Sequence, residues 1–150
     1  GGHCMPIDPF YLTWRAREFG QHTRFVELAG QINSAMPEHV VRVTANALSL
    51  KQKRALNGSR VLLVGMSYKK NVDDTRESPS FALIELLEAK GANVDFYDPH
   101  VPLVGKTREH PNVESRASVP WDFDKIAECD LVLISTDHDQ VDYCALARHR

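Results

Sequence analysis

The chain has 150 residues, enough for one ordinary domain and a small appendage. A hydrophobic fraction of 43% and a charged fraction of 25% are typical of a globular protein, and the net charge of -2 gives no reason to expect a nucleic acid or an anionic membrane as partner. No apolar run is long enough to span a bilayer, and no signal peptide is visible. Three cysteines are an odd number and too few for a disulfide framework. This count favours a reducing, cytoplasmic location.

Residues 1 to 57 have the composition and spacing of helices. Asp8 followed by Pro9 predicts a helix start, with Asp as the N-cap and Pro as the first helical residue. Gly20 is a natural residue to end this helix.

A second helix is predicted after Thr23, and Pro37 predicts its end and the start of a third helix. Apolar residues cover more than one face of this stretch, which either core burial or a subunit interface explains. The turn signal Asn57-Gly58 marks the predicted domain boundary.

From residue 58 onward the pattern changes to alternating strands and helices. Three strands are predicted, the first of them from a continuous apolar run. A helix is predicted from Ser78-Pro79 to Gly91, and a shorter helix precedes the third strand. Four prolines make the segment 99–120 a predicted loop. This order predicts a doubly wound α/β domain with a parallel sheet. The three strand runs are 61–64, 93–97 and 131–135.

The chain begins Gly1-Gly2-His3-Cys4, with Asp8 four residues beyond the cysteine. The glycines permit a ligand to approach the backbone closely, and the positive end of a helix lowers the pKa of a nearby thiol. Asp8 is near enough in sequence to orient a water or a substrate hydroxyl. A reactive nucleophile and an inert buried cysteine are both compatible with these local features.

A polar loop runs from Gly65 to Ser80, between the first strand and a helix N-terminus. Ligands of open α/β sheets bind at this edge, and Lys69 and Arg76 are suited to an anionic phosphate. Neither a dinucleotide-binding nor a P-loop glycine motif is present. A solvated loop of balanced charge is an equal alternative.

The remaining polar residues are weaker candidates. His138 and Asp139 follow the third strand at the same predicted edge, but a polar loop explains them as well. Core packing is the expected role of Cys129 and Cys144. The cysteines and histidines lack zinc-ligand spacing, so no metal site is predicted.

Together these stretches resemble the UDP-glucose/GDP-mannose dehydrogenase family. Gly1 to Cys4 with Asp8 is similar to its nucleophile motif, and the loop 65–78 is similar to the signature that opens its C-terminal domain. Tyr97-Asp98-Pro99 and 129–133 also fall where the family has similar runs. The resemblance covers essentially the whole chain.

The resemblance implies a helical dimerisation segment at 1–57 and a Rossmann-like UDP-sugar-binding domain at 58–150. The family's N-terminal NAD-binding domain is then absent from the chain, which should be inactive by itself. Cys4 is implied as the catalytic nucleophile and Asp8 as its water-positioning partner. Substrate contacts are implied for Lys69 and for Gly1, Gly2 and His3, and Arg76 is implied to reach the pyrophosphate of NAD.

The implied reaction is NAD-dependent oxidation of the C6 hydroxyl of a UDP-sugar to a carboxylate, in a cytoplasmic homodimer. His3 and Ile7 depart from the serine and lysine typical of UDP-glucose enzymes. They resemble the bacterial UDP-N-acetylhexosamine branch, of which we favour the N-acetylglucosamine member. The alternatives are a UDP-glucose 6-dehydrogenase, a non-catalytic nucleotide-binding module and a purely structural dimerisation fragment.

Overall fold

The computed structural model describes residues 7–107 and 109–148. Five helices and three strands follow one another in these ranges. In chain order they are α1 (Asp8–Glu18), α2 (Arg24–Gln52), β1 (Arg60–Val64), α3 (Pro79–Ala89), β2 (Asn93–Tyr97), α4 (Phe123–Ala127), β3 (Leu131–Ile134) and α5 (Tyr143–Arg148). Cys4 and its neighbours Gly1, Gly2 and His3 lie outside the described residues.

The start of helix α1 differs from the prediction by one residue. Asp8 is the first helical residue of α1 and Ile7 its N-cap, so the predicted capping role of Asp8 is wrong, and Pro9 occupies the second position. The first turn tolerates either placement, because its N–H groups have no partner within the helix. The predicted end holds: the backbone of Gly20, just past the C-cap Phe19, is left-handed at φ 69°.

Helix α2 is continuous over 29 residues, so the predicted break at Pro37 is wrong. A proline inside a helix removes one hydrogen bond, to the carbonyl of Asn33, and crowds that carbonyl. The packing of α2 against the sheet outweighs this cost: Val41 and Leu48 are each 1% exposed in the main core. Beyond Lys53, whose backbone is left-handed, the predicted turn at Asn57-Gly58 leads into the sheet.

The sheet has the order β2-β1-β3, and both pairings are parallel. Alternate side chains of β1 face opposite sides: Val61 and Leu63 pack with α2 and α3, whereas Leu62 and Val64 pack with α4 and α5. A strand buried on both faces explains the continuous apolar run, and the predicted doubly wound α/β class is confirmed.

Helix α3 begins as predicted. The side chain of Ser78 accepts a hydrogen bond from the backbone N–H of Ser80, and Pro79 is the first helical residue. Helix α4 starts at Phe123, with Asp122 as a side-chain cap, and α5 was not predicted. Segments 99–107 and 109–120 are irregular apart from one isolated bridge between Leu103 and Ala117. Of the helices in the described ranges, none combines the length and apolar composition of a membrane crossing.

Candidate functional site

Three loops leave the carboxyl ends of the three strands and meet at one edge of the sheet. The loop after β1 carries Gly65 to Ser78, Asp98 follows β2 directly, and residues 135–139 follow β3. This edge is where ligands bind in open parallel sheets. The strand-end loops therefore form the candidate ligand-binding edge.

Asp98 is the centre of this edge and is only 3% exposed. Its Oδ2 accepts hydrogen bonds from the backbone N–H groups of Met66 at 2.6 Å and Ser67 at 3.0 Å. Its Oδ1 accepts from the N–H groups of His100 at 2.8 Å and Val101 at 3.1 Å. Burial raises the pKa of the carboxyl, but the backbone donors together with His138 more than offset this, so the pKa of Asp98 lies below its ordinary value. The group is thus an ionised carboxylate.

His138 is completely buried beside this carboxylate. Its Nε2 lies 3.0 Å from Oδ2 of Asp98 and 3.2 Å from Oγ of Ser67, and its Nδ1 accepts the backbone N–H of Asn71 at 3.1 Å. Because Nδ1 accepts a hydrogen bond, it carries no proton. The ring is therefore the neutral tautomer with its proton on Nε2. His138 is therefore a structural link between all three loops. We name Ser67, Asp98 and His138 the strand-end cluster.

The first and third loops are also joined at the surface. The ammonium of Lys70 lies 2.5 Å from Asp139, and the side-chain amide of Asn71 donates to the other carboxylate oxygen of Asp139 at 2.6 Å. The backbone N–H of Asp139 donates in return to Asn71 at 3.1 Å. These contacts raise the pKa of Lys70 and lower the pKa of Asp139. Positive charges of the first loop are therefore paired with carboxylates: Arg76 with Asp74 of the same loop, and Lys70 with Asp139 of the third loop.

Gly65 permits the close approach of these two loops. Its φ of 90° is left-handed, and a Cβ at this position would lie 2.3 Å from the carbonyl oxygen of Thr136. The hydroxyl of Thr136 donates to the carbonyl of Ser67 at 2.7 Å. Only glycine satisfies both the conformation and the space.

The structure brings some predicted site residues to this edge and separates others. Lys69 lies in the first loop, between Ser67 and Asn71; its side chain is exposed, and it forms no ion pair with any residue in the described ranges. Arg76 is also exposed, but its guanidinium contacts both carboxylate oxygens of Asp74, at 2.6 to 3.0 Å. This pairing raises the pKa of Arg76.

Arg76 borders a cleft of about 680 Å³ between α2 and the N-terminus of α3. Ile7, Pro37 and the loop containing Lys106 and His110 complete its walls. Asp8 is exposed and lines a different, apolar groove with residues of α1 and α2. Arg76 and Ile7 thus line one cleft, whereas Asp8 lines a different groove. Among the described residues no group of three or more potential metal ligands comes together.

The sequence analysis gave Asp98 no role and placed His138 at the ligand-binding edge as a weak candidate, with a polar loop as the alternative. The available signal was positional: a carboxylate directly after one buried strand and a histidine just beyond another. Parallel strands bring such residues to one edge. The sequence did not reveal that both side chains would be buried and bonded to each other.

The sheet order, the helices on both faces and the polar strand ends place the chain in the doubly wound α/β class, whose ligands bind at this edge. Residues 62–150 match the UDP binding domain of the UDP-glucose/GDP-mannose dehydrogenase family, and residues 1–35 match the central domain of that family. The chain therefore belongs to the UDP-glucose/GDP-mannose dehydrogenase family, and the predicted resemblance is confirmed.

The relatives of this chain are named for different UDP-sugars. A UDP-N-acetyl-D-mannosamine dehydrogenase from Methanococcus maripaludis is 33% identical over 143 residues, covering 93% of this chain and 28% of the relative. A UDP-N-acetyl-D-glucosamine 6-dehydrogenase from Pseudomonas aeruginosa is 35% identical over 101 residues, covering 67% of this chain and 24% of the relative.

A solved structure of the same family is also similar to this chain. The UDP-D-ManNAc dehydrogenase of Pyrococcus horikoshii superposes with a TM-score of 0.77 at 26% identity, over 99% of this chain and 32% of that one. The chain thus spans less than a third of the length of each of these relatives.

Proposed function

We propose that this chain is the nucleotide-sugar-binding and dimerisation portion of an NAD-dependent UDP-sugar 6-dehydrogenase. Residues 58–150 bind the UDP moiety and residues 1–57 supply the nucleophile and the subunit contact. The observation that carries the proposal is the match of 62–150 to a UDP binding domain, on a sheet whose strand ends form an ordered polar edge. Lys69, exposed at that edge with no ion pair in the described part of the chain, is the proposed phosphate or sugar contact.

The proposed substrate is a UDP-N-acetylhexosamine. The names of the relatives above support this class, and they include both epimers. The preference for N-acetylglucosamine stays a prediction. A reducing cytoplasm is the proposed place of the reaction, because three cysteines are too few and too uneven in number for a disulfide framework.

The proposed chemistry divides a four-electron oxidation into two steps. NAD, held largely by a further part of the protein, would accept one hydride in each step. On this chain, the Cys4 thiolate adds to the C6 aldehyde, and the resulting thiohemiacetal is oxidised to a thioester. Water then cleaves the C–S bond, which releases the carboxylate and restores the thiol. Asp8 is the proposed group that orients the water and takes its proton, and Gly1, Gly2 and His3 are proposed to shape the sugar pocket.

Arg76 fits the proposed contact with the NAD pyrophosphate by its charge and position. It is an exposed guanidinium beside the N-terminus of α3, and both features attract phosphate oxygens. Asp74 occupies the guanidinium in this structure, so the contact requires the pair to open or to share the phosphate. The chain contains no G-x-G-x-x-G segment, and we expect it to have no dehydrogenase activity by itself.

Calorimetry with UDP and GDP tests the binding proposal. The chain should bind UDP in preference to GDP, and Lys69→Ala should weaken UDP binding by about ten- to a hundredfold, because one charge-assisted hydrogen bond contributes about 1.5 to 3 kcal/mol. Lys90→Ala is the matched control, since Lys90 is an exposed lysine at the C-cap of α3. A preference for GDP, or equal effects of the two variants, would contradict the assignment.

A further inference from the structure

The first loop has no regular secondary structure between Gly65 and Ser78, so side-chain contacts must determine its shape. Asn71 is in the left-handed region at φ 59°, a conformation that costs energy and persists where the surroundings determine it. Its N–H donates to Nδ1 of His138, and its side chain is held by Asp139. The loop is therefore held at a strained residue two positions beyond Lys69.

The other side of Lys69 is held by the same cluster. Oδ2 of Asp98 accepts the N–H of Ser67, and the hydroxyl of Ser67 donates to the carbonyl of Lys69 at 2.9 Å. The same Oδ2 accepts Nε2–H of His138. One carboxylate and one imidazole thus hold the backbone on both sides of Lys69.

We propose that His138 is a positioning residue for nucleotide-sugar binding. It joins the carboxylate of Asp98 to the N–H of Asn71 and thereby fixes the segment 67–71, which presents Lys69. The inference rests on the proposed role of Lys69 in the UDP-sugar site. His138 is not a catalytic residue, because it is fully buried and both ring nitrogens are occupied by contacts within the protein. It acts through the loop.

Two conservative substitutions separate the two contacts of the ring. Asn carries its amide oxygen at the δ position, where it can replace Nδ1 as the acceptor for Asn71. Gln carries its amide one atom further, where it can replace the Nε2 donor to Asp98 but leaves the N–H of Asn71 unpaired. Rescue by Asn and not by Gln is therefore the signature of loop positioning through Asn71.

The experiment uses the full-length dehydrogenase that contains this chain. If loss of the Asn71 contact leaves the loop in its binding conformation about a tenth of the time, KM for the UDP-sugar and Kd for UDP rise about tenfold. We expect this rise in His138→Ala and His138→Gln, and a rise of less than about threefold in His138→Asn. KM for NAD should not change, and kcat should change by less than about twofold. His22→Gln, at an exposed histidine between α1 and α2, is the matched control.

A double-variant cycle tests whether His138 acts through Lys69. Lys69→Ala alone should weaken UDP binding, and adding His138→Gln to it should weaken binding by less than about twofold more, because the loop no longer presents a lysine. Fully additive effects would overturn the inference. Hydrogen exchange in the unsubstituted protein adds a measurement that needs no variant: the Asn71 amide should be protected, and fast exchange there would also overturn it.

The outcomes also separate the inference from the proposed function. If the unsubstituted protein does not bind UDP, the proposed function fails and the inference fails with it. If the protein binds UDP and Lys69→Ala weakens the binding, while His138→Gln binds UDP as the unsubstituted protein does, only the inference fails. A parallel rise of KM for the UDP-sugar and for NAD, together with a lower melting temperature, would show a general loss of structure and would also overturn it.

Discussion

Asp98 carries a buried negative charge that the fold satisfies with backbone donors rather than with a lysine or arginine. Four N–H groups and the neutral ring of His138 meet its two oxygens. Hydrogen bonds to the charged form favour that form, which explains the lowered pKa in spite of burial. The charge therefore contributes to stability, and the contribution depends on pH.

We predict that Asp98→Asn lowers the free energy of unfolding by about 2 to 3 kcal/mol at pH 7, because an amide NH₂ must face backbone donors that lose their acceptor. The pKa of Asp98 is depressed in the folded chain, so its contribution is present above the unfolded value of 3.8 and is lost as the pH falls below it. Denaturant unfolding of the unsubstituted protein and of Asp98→Asn is measured from pH 7 to pH 3. The difference in their free energies of unfolding should shrink only at the acid end.

The exposed carboxylate of Asp95, on the same strand, provides the matched control. Asp95→Asn should change stability by less than about 0.5 kcal/mol at any pH in this range. An Asp98→Asn deficit of the same size at pH 3 and pH 7 would mean that the carboxylate charge has no part in the effect.

Cys4→Ser tests the proposed covalent chemistry in the full-length protein. We expect no net production of the sugar acid, because a thiolate is a far better nucleophile toward an aldehyde than a neutral hydroxyl, and a thioester transfers its acyl group to water readily. Product formation is measured by chromatography of the nucleotide sugars. Binding of UDP should be unchanged.

Cys129→Ser and Cys144→Ser serve as thiol controls, since both residues lie in the UDP-binding portion. They should retain activity. Near-normal production of the acid by Cys4→Ser, with the other two cysteines also replaced, would exclude the covalent mechanism. The non-catalytic nucleotide-binding module would then be the better interpretation.

At the scale of single elements, the start of α3 depends on hydrogen bonds made by the side chains of two serines. Ser78 is almost fully buried and caps the helix, and Ser80 donates to the carbonyl of Gly65 at 2.9 Å. The hydroxyl of Ser80 therefore joins the first turn of α3 to the loop that leaves β1. This is the end of α3 that borders the cleft beside Arg76.

We predict that Ser78→Ala destabilises the chain by about 1 kcal/mol, the usual cost of a lost N-cap. Ser49→Ala, at an exposed position inside α2, should leave stability unchanged or raise it slightly, because alanine is the better helix former. Thermal melts of the two variants decide the point. Equal melting temperatures would show that the Ser78 side chain does not act as a stabilising cap.

At the scale of the whole molecule, α1 and α2 expose many large apolar side chains. Phe25 is 83% exposed and Leu50 is 83% exposed, although both lie on helices whose other faces are packed. Further exposed apolar side chains on these helices are Phe10, Tyr11, Leu12, Trp14, Leu28, Ile32, Met36 and Val43. An apolar surface of this extent is typical of a subunit interface, and it supports the proposed homodimer.

We predict that the chain dimerises through this surface and that Phe25→Glu combined with Ile32→Glu shifts it to monomer in sedimentation velocity. A specific interface buries at least about 1,000 Å² in total, and two charges placed in it would be left unpaired. Leu103→Glu, on the irregular segment after β2, is a control at a similarly exposed leucine and should not change association. A chain that sediments as a monomer at high concentration before any substitution would contradict the dimer.

The sequence by itself determined the class of fold, the positions of all three strands and the start of α3. These features depend on local patterns: a continuous apolar run for β1, which is buried on both faces, short runs rich in apolar residues for β2 and β3, and a Ser-Pro pair for a helix start. The family was also readable, because its motifs are short and contiguous. The roles assigned to Cys4, Asp8, Lys69 and Arg76 came with that resemblance and stay predictions.

Tertiary structure alone decided the continuity of α2 and the existence of the strand-end cluster. The local signal of Pro37 favours a break, but burial of residues such as Val41 and Leu48 against the sheet outweighs one lost hydrogen bond. Asp98 and His138 are 40 residues apart and meet because β1 lies between β2 and β3. A sequence shows which residues are polar, but the pairing of strands determines which of them are buried together. This pairing therefore stabilises the charge of Asp98 and fixes the loop after β1.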